Sequence, residues 1–481
     1  MSGVTPERSK VAARHPKSRL ALASIAGIFV IIDIYLLAQG RNLRPGSDDY
    51  CIAADAHRGL VEAVLFWFEN VNGYAYSAFL SSLFVGLPTF QLPLTFGSLI
   101  AFTVTSLLGG LAVLYLVRYR IQLHAADYGV RIMWGVLVAA AGLGAWWSFL
   151  WWPHEVDDGS RSALFALGLT HWQTINVIYI VQTLTLLLGS FASWQLLKRH
   201  RTAAVTAAAV VGILGGFSGP VTTLTMVLTV LSVLIFWGYF DGSRLKQSLV
   251  WGAALIVAAG VSGWIAHSSP GTRTRINTVG ESEKLSITGV GEVLHLTIPA
   301  FITEWLGAFA HIGTFAVIFI FVPIGWLTSR FRLMTVSVAQ VQLGLALAGI
   351  GLLFSFSALL GEQFAYEGYW HFVPVRLFAF LALVVWSVGA GLALAEVRWT
   401  FVRPLMVSSI VLGVLVVSGT AMAMATNIAA RQTQWELGDA TVKNGTVADI
   451  DSFEWVSECW ERLRDRRDMP ARQYSVSPDL Q

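Results

Sequence analysis

Charge is what this sequence lacks most. Only 13% of its 481 residues are Asp, Glu, Lys or Arg, against roughly 25% in soluble domains. With 55% hydrophobic residues and a mean hydropathy of +0.63, the chain reads as an all-α polytopic membrane protein. Two cysteines exclude a disulfide scaffold and a Cys-rich metal site. A net charge of +3 is too small to point to nucleic acid, so no such partner is expected. No glycine-rich phosphate loop is present, which argues against a cytosolic nucleotide donor. No repeat relates the two halves, and repeats are common in secondary transporters.

What is present is a series of apolar runs. Spans are expected near 20–38, 92–117, 132–152, 174–196, 203–217, 220–240, 248–266, 305–327, 335–357, 376–395 and 404–426. The run 203–240 is too long for one crossing, since about 20 residues span a bilayer. Gly215, Gly216, Gly219 and Pro220 divide it into two. A basic segment holding Arg8, Lys10, Arg14, Lys17 and Arg19 precedes the first run, which is long for a signal peptide. It reads as a retained span entered from the cytoplasm. Alternate connections then hold Arg118, Arg120 and Arg131; Lys198, Arg199 and Arg201; Arg244 and Lys246; Arg330 and Arg332; Arg398 and Arg403. Short basic loops mark the inside. About eleven transmembrane helices follow, with the N-terminus in and the C-terminus out.

This topology divides the chain into a cytoplasmic tail (1–19), a transmembrane domain (20–426) and a small extracytoplasmic tail (427–481). Nineteen tryptophans, many near segment ends, suit an interfacial belt. In the first outer loop (39–91), HRGLVEAVLFWFENV (57–71) is amphipathic. Leu60, Val64, Trp67 and Phe68 are expected to lie on the membrane, with Glu62 and Glu69 facing water. Cys51 and Cys459 both fall outside, where a disulfide persists. A bridge and two free thiols both remain open. Asp33, within the first span, is expected to face the bundle, because an ionisable group in lipid costs about 2.5–3.5 kcal/mol.

Polar chemistry gathers on the outer side. Asp48 and Asp49 in PGSDDYC (45–51) stand where the first span ends. A solvated turn is the simple reading; a general base beside an orienting carboxylate is the sharper one. In SSPGTRTR (268–275), Arg273 and Arg275 lie on the side that the positive-inside rule depletes. They can clasp a phosphate, bind headgroups, or be solvated. EQFAYEGYWHFVPVR (362–376) offers Tyr369, Trp370 and His371 as a sugar- or lipid-contacting wall or as part of an interfacial belt, with Arg376 at the next span's entrance. His171 is a further hydrogen-bonding group. GFSGPVT (216–222) is a tight turn of small residues that serves ligand approach or helix packing. His154, Glu155, Asp157 and Asp158 show no defined ligand spacing. No cofactor or metal site is therefore assigned, and a divalent cation is left open.

Together these features resemble the polytopic glycosyltransferases of the C superfamily (GT-C), bacterial members whose first outer loop opens with a DDY motif. The matching residues are Asp48-Asp49-Tyr50, the surface helix at 57–71, the break at GFSGP, the Pro-Gly-x-x-Arg stretch at SSPGTRTR, and Arg376 after an aromatic loop. The likeness covers about residues 20–400. Two departures are that the turn at 217–220 lacks an acidic residue and that the tail after 427 has no counterpart. The resemblance implies transfer, with inversion, of a sugar from a polyprenyl-phosphate donor to a cell-envelope glycan or lipid acceptor. Asp48 would be the base and Asp49 its partner in orienting the acceptor or a cation. Arg273, Arg275 and Arg376 would hold the phosphate. The expected location is the plasma (inner) membrane, among its lipids, with the site facing outward. A polymer ligase or lipid-linked sugar handling protein is the nearest alternative. A secondary transporter is the more distant one.

Overall fold

The computed structural model describes residues 16–120 (save 44, 46, 47 and 93), 128–150, 173–219 (save 198), 222–223, 226–227, 230–231, 234, 245–279, 287–330 (save 308), 372–443 (save 396, 398 and 399), 459, 462, 463 and 466. Among the described residues the chain is helical throughout and forms no strand. Among the described residues, eight helices are long and apolar enough to cross a membrane. The expected span at 335–357 lies outside the described residues, and the one at 220–240 is described only in part.

The elements are α1 (Pro16–Gln39), α2 (Asp48–Ala56), α3 (Leu60–Asn70) and α4 (Ala75–Ser81). A π segment (Ser82–Gly86) leads into α5 (Leu87–Gln91). Next come α6 (Leu94–Arg120) and α7 (Tyr128–Leu150). Helix α8 starts at Gln173–Ile175, passes a second π segment (Asn176–Val181) and continues as Gln182–Leu196. There follow α9 (Arg201–Gly216), α10 (Leu245–His267), α11 (Pro270–Val279), α12 (Ile287–Gly307), α13 (Ile312–Arg330), α14 (Phe372–Leu394) and α15 (Val402–Lys443). Apolar runs fixed most of these boundaries to within a turn. The expected outer connection 267–304 is instead largely helical, as α11 and α12.

The main core joins α1, α6, α7, α8, α13, α14 and α15. Helices α6 and α7 run antiparallel, since Trp147 meets Phe102 and Ser106 near one end while Gly142 meets Val113 further along. A smaller cluster joins α8, α9 and α10. Its seam is a stripe on α9 of Ala204, Ala208, Gly212 and Gly216, four residues apart and all buried. Added carbon at Gly212 would strike the Leu255 carbonyl, and at Gly216 the Ser262 hydroxyl. Small residues at helical spacing let two backbones close up in lipid, where dispersion and hydrogen bonds replace the hydrophobic effect.

Tryptophan departs from the expected belt. Trp134, Trp146, Trp147 and Trp251 are fully buried inside the bundle. Three donate their indole N–H to hydroxyls on other helices: Trp134 to Thr328 at 3.0 Å, Trp147 to Ser106 at 2.9 Å and Trp251 to Ser193 at 2.9 Å. An indole needs a partner for its single donor, and a hydroxyl can supply one within the bundle. Trp264, near the end of α10, is 71% exposed, as a belt residue would be. Asp33 is buried against Gly144 of α7, which in turn meets Val417 of α15.

Candidate functional site

The PGSDDYC stretch is not an extended loop. From Asp48 the chain is helical as α2, because DDYCIAADA carries alanines and an acidic start, which suit the positive end of a helix dipole. Asp49 has no exposed surface. Its Oδ2 accepts the Gln173 N–H at 3.0 Å, and its Oδ1 accepts the Thr174 N–H at 2.8 Å and the Thr174 hydroxyl. These amides open α8, where four N–H groups have no partner within the helix. The Asp48 side chain lies outside what the structure describes.

Two further bonds hold α2. Cys51 is disulfide-bonded to Cys459 across 408 positions of sequence, so the two thiols are not free. Around the bridge, Tyr50, Ala53, Ala54 and Leu463 form a small buried cluster. At the other end of α2, Asp55 accepts the Trp67 indole N–H at 3.2 Å and pairs with Arg462 at 3.4 Å. Burial pushes the Asp55 carboxyl above its ordinary range, while Arg462, Arg58 and the Trp67 hydrogen bond pull it back less strongly. Asp55, Trp67 and Arg462 were missed as site residues. Asp55 stands seven residues after Asp48, which is one helical face over two turns, but the Pro-Gly start spoke for a turn instead.

The amphipathic helix is present as α3, with Glu62 and Glu69 exposed as expected. Its packing face differs. Trp67 turns to Asp55, Phe68 meets the Phe217 ring edge-on at 6.5 Å, and Ala63 is fully buried. The apolar residues left outward are Val61 and Leu65, 71% and 53% exposed. A hydrophobic stripe shows that a helix buries one face, not whether protein or lipid covers it.

Helix α11 docks on α3. Pro270 takes the first helical position, where its missing N–H costs nothing, and Ser269 Oγ accepts the Thr272 N–H at 3.2 Å as a cap. Thr272 Oγ1 accepts the Gly73 N–H at 2.8 Å, and Gly271 lies against Phe68, Val71 and Asn72. Arg273 is exposed on this helix; the side chain of Arg275 is not described. Arg376 is buried within α14, one turn inside its start rather than at an open entrance. Helix α14 packs on the π segment of α8, the same helix that Asp49 caps. A π segment often marks a functional position in a helix.

Residues 216–219 form a turn held by polar side chains of other elements. Gln182 Nε2 donates to the Ser218 carbonyl at 2.9 Å and to Thr222 Oγ1 at 3.0 Å, and Ser77 donates to Gln182 Oε1 at 2.6 Å. Gly219 has φ of +95° beside the Tyr74 ring, a conformation that needs glycine. Its small residues serve packing and this buried polar network. His171, Tyr369, Trp370, His371 and the His154–Asp158 stretch lie outside the described residues. Among the described residues no three metal-ligating side chains gather.

The structure thus joins α2, α3, α8, α11 and the segment around Cys459 into one braced assembly, with α14 packed on α8. No protein-family model matches the chain, and no curated protein or solved structure shows significant similarity to it.

Proposed function

We propose that the protein is a membrane glycosyltransferase of the GT-C type, moving a sugar from a polyprenyl-phosphate donor to an extracytoplasmic glycan or lipid acceptor with inversion. One observation carries the reading. The helix that bears the adjacent aspartates is braced against the start of α8, while α11 with Arg273 and α14 with Arg376 pack on its immediate neighbours. A carboxylate and guanidinium groups around the end of a helical bundle suit a lipid-borne phosphate donor.

In this reading Asp48 removes the proton of the acceptor hydroxyl. The freed oxygen attacks the anomeric carbon from the face opposite the phosphate. The carbon–oxygen bond to phosphate then breaks, and its electron pair leaves on polyprenyl phosphate. Arg273, Arg275 and Arg376 stabilise that departing charge. Tyr369, Trp370, His371 and His171 contact sugar or lipid.

The orientation rests on the bridge. Disulfides persist in oxidising compartments, so the end holding Cys51 and Cys459 faces outward in this reading. The chain leaving α1 and the chain following α15 therefore emerge on one side, which requires an odd number of crossings. Gly313, at the start of α13, and Phe380 of α14 both neighbour the last turn of α7, while Gly325 and Val388 meet further along. Helices α13 and α14 thus run in the same sense, and a crossing at 335–357 would satisfy that. Eleven spans, N-terminus inside, in the plasma membrane, fit these constraints.

The test is turnover of a panel of radiolabelled polyprenyl-phosphate sugars by the purified protein in lipid, with envelope acceptors and with or without divalent cation. Release of polyprenyl phosphate by wild type, with Asp48→Asn folded but at least about 1,000-fold slower, is the expected result. Equal release by both proteins would remove Asp48 from the chemistry.

A further inference from the structure

We infer that Asp49 is a positioning residue of this site, a cap lent by α2 to α8 that fixes how the aspartate-bearing helix is turned. The inference rests on the glycosyl-transfer reading for its function, and on the geometry of Asp49 for its mechanism. Both carboxylate oxygens of Asp49 receive donors from the first residues of α8. No part of the residue is exposed. A general base must reach the proton it removes within hydrogen-bond distance. Asp49 meets a bound hydroxyl only by giving up the cap, leaving buried N–H groups of Gln173 and Thr174 without their acceptor.

The arrangement differs from an ordinary cap in one respect. The residue that normally caps a helix directly precedes it in the chain, whereas this carboxylate arrives from a position 124 residues earlier than Gln173. The bond is therefore tertiary. It pins α2 about its own axis, since a helix turns about 100° per residue and only one azimuth brings position 49 onto Gln173 and Thr174. Position 48 is thereby turned to another side of the helix. The bridge at Cys51 and the Asp55 pairs fix α2 along its length. Asp49 ties it to the bundle through α8, whose π segment packs against α14 and Arg376's helix.

Cap chemistry separates this role from that of a base. Asn, Ser and Asp all cap helices, whereas Ala does not. Asn cannot take a proton from a hydroxyl. The experiment uses full-length protein in lipid nanodiscs, as wild type, Asp49→Asn, Asp49→Ala and Thr174→Val. It reads amide hydrogen exchange over residues 173–176 together with kcat, KM and the pH profile of polyprenyl phosphate release.

Asp49→Asn, whose single side-chain oxygen can still accept the Thr174 donors, is expected to keep exchange at Thr174 within a few-fold of wild type, to speed it at Gln173, to lose less than about tenfold in kcat, and to leave the acid limb of the pH profile in place. Asp49→Ala is expected to speed that exchange by about tenfold or more and to lower kcat with little change in KM. Thr174→Val, which removes one donor, falls between them. An Asp49→Asn protein with wild-type exchange at Thr174 but no turnover would overturn the inference and make Asp49 a reacting group. Unchanged exchange in Asp49→Ala would equally overturn it. Should Asp49→Ala not fold, the Asn and Val variants decide. If wild type turns over no donor, the glycosyl-transfer reading falls, while the exchange data still test the anchoring of α2 to α8.

Discussion

At the scale of single residues, the carboxylates on α2 differ in what surrounds them. Asp49 accepts donors from the start of α8 on both oxygens, whereas Asp55 is buried with an indole and one arginine. Because the folded protein raises the Asp55 pKa, the folded state holds a proton there that the unfolded chain has already released. The stability contributed by this proton is complete below the unfolded value of about 3.9. It is lost as pH rises through the raised value. Asp55→Asn should therefore gain in Tm over wild type as pH climbs through that window. Arg462→Ala, which removes the strongest lowering charge, should extend the window upward. Thermal unfolding from pH 4 to 8 measures both, and parallel curves for wild type and Asp55→Asn would contradict the account.

The buried tryptophans give a second residue-scale prediction. Ser106→Ala removes the acceptor of Trp147 and should destabilise the bundle by about 1 kcal/mol, as interhelical hydrogen bonds in membranes do. Trp147→Phe should behave alike if the bond rather than the ring is responsible, and unfolding in detergent compares the two. None of these partners was legible in the sequence. Tryptophan counts and positions speak equally for belt and core, and a hydroxyl 41 residues away carries no local mark. The same applies to Asp49, whose acidic pair is visible while the amides that donate to it, more than a hundred residues on, are not.

At the scale of elements, apolar runs were the reliable signal. The run 203–217 appears as α9 and 248–266 as α10, because each needs about 20 apolar residues or a glycine-marked end. What a run cannot tell is which face meets which neighbour. On α9 Gly212 and Gly216 of the small-residue stripe meet α10 backbone, so Gly212→Val should force the helices apart and cost about 1–3 kcal/mol. Gly260→Ala, on α10 with open space around the added carbon, should be neutral or slightly stabilising. A wild-type melting temperature for Gly212→Val would contradict the close seam. Helix α3 teaches the complementary lesson: its period was right, but a protein partner took the face expected to lie on lipid.

At the scale of the molecule, the decisive feature is the bond between its two ends. Cys51 and Cys459 join α2 to the segment after α15, although the tail resembled nothing in the family suggested by the DDY motif. The possibility of a bridge was legible from two cysteines assigned to one side. Its formation depends on a three-dimensional proximity that composition does not carry. Mild reduction, or Cys51→Ser, should lower the unfolding midpoint by an amount corresponding to about 2–5 kcal/mol. In Cys51→Ser, reductant should then have no further effect.

We propose a glycosyl-transfer site at the end of the bundle marked by that bridge. The most direct measurement places a labelled polyprenyl-phosphate sugar, with acceptor, on one side or the other of sealed proteoliposomes of known orientation. Polyprenyl phosphate release is expected only when donor and acceptor share the side of Cys51 and Cys459, and is expected to be lost in Asp48→Asn. Release confined to the side of Lys198, Arg199 and Arg201, or an active Asp48→Asn, would contradict it.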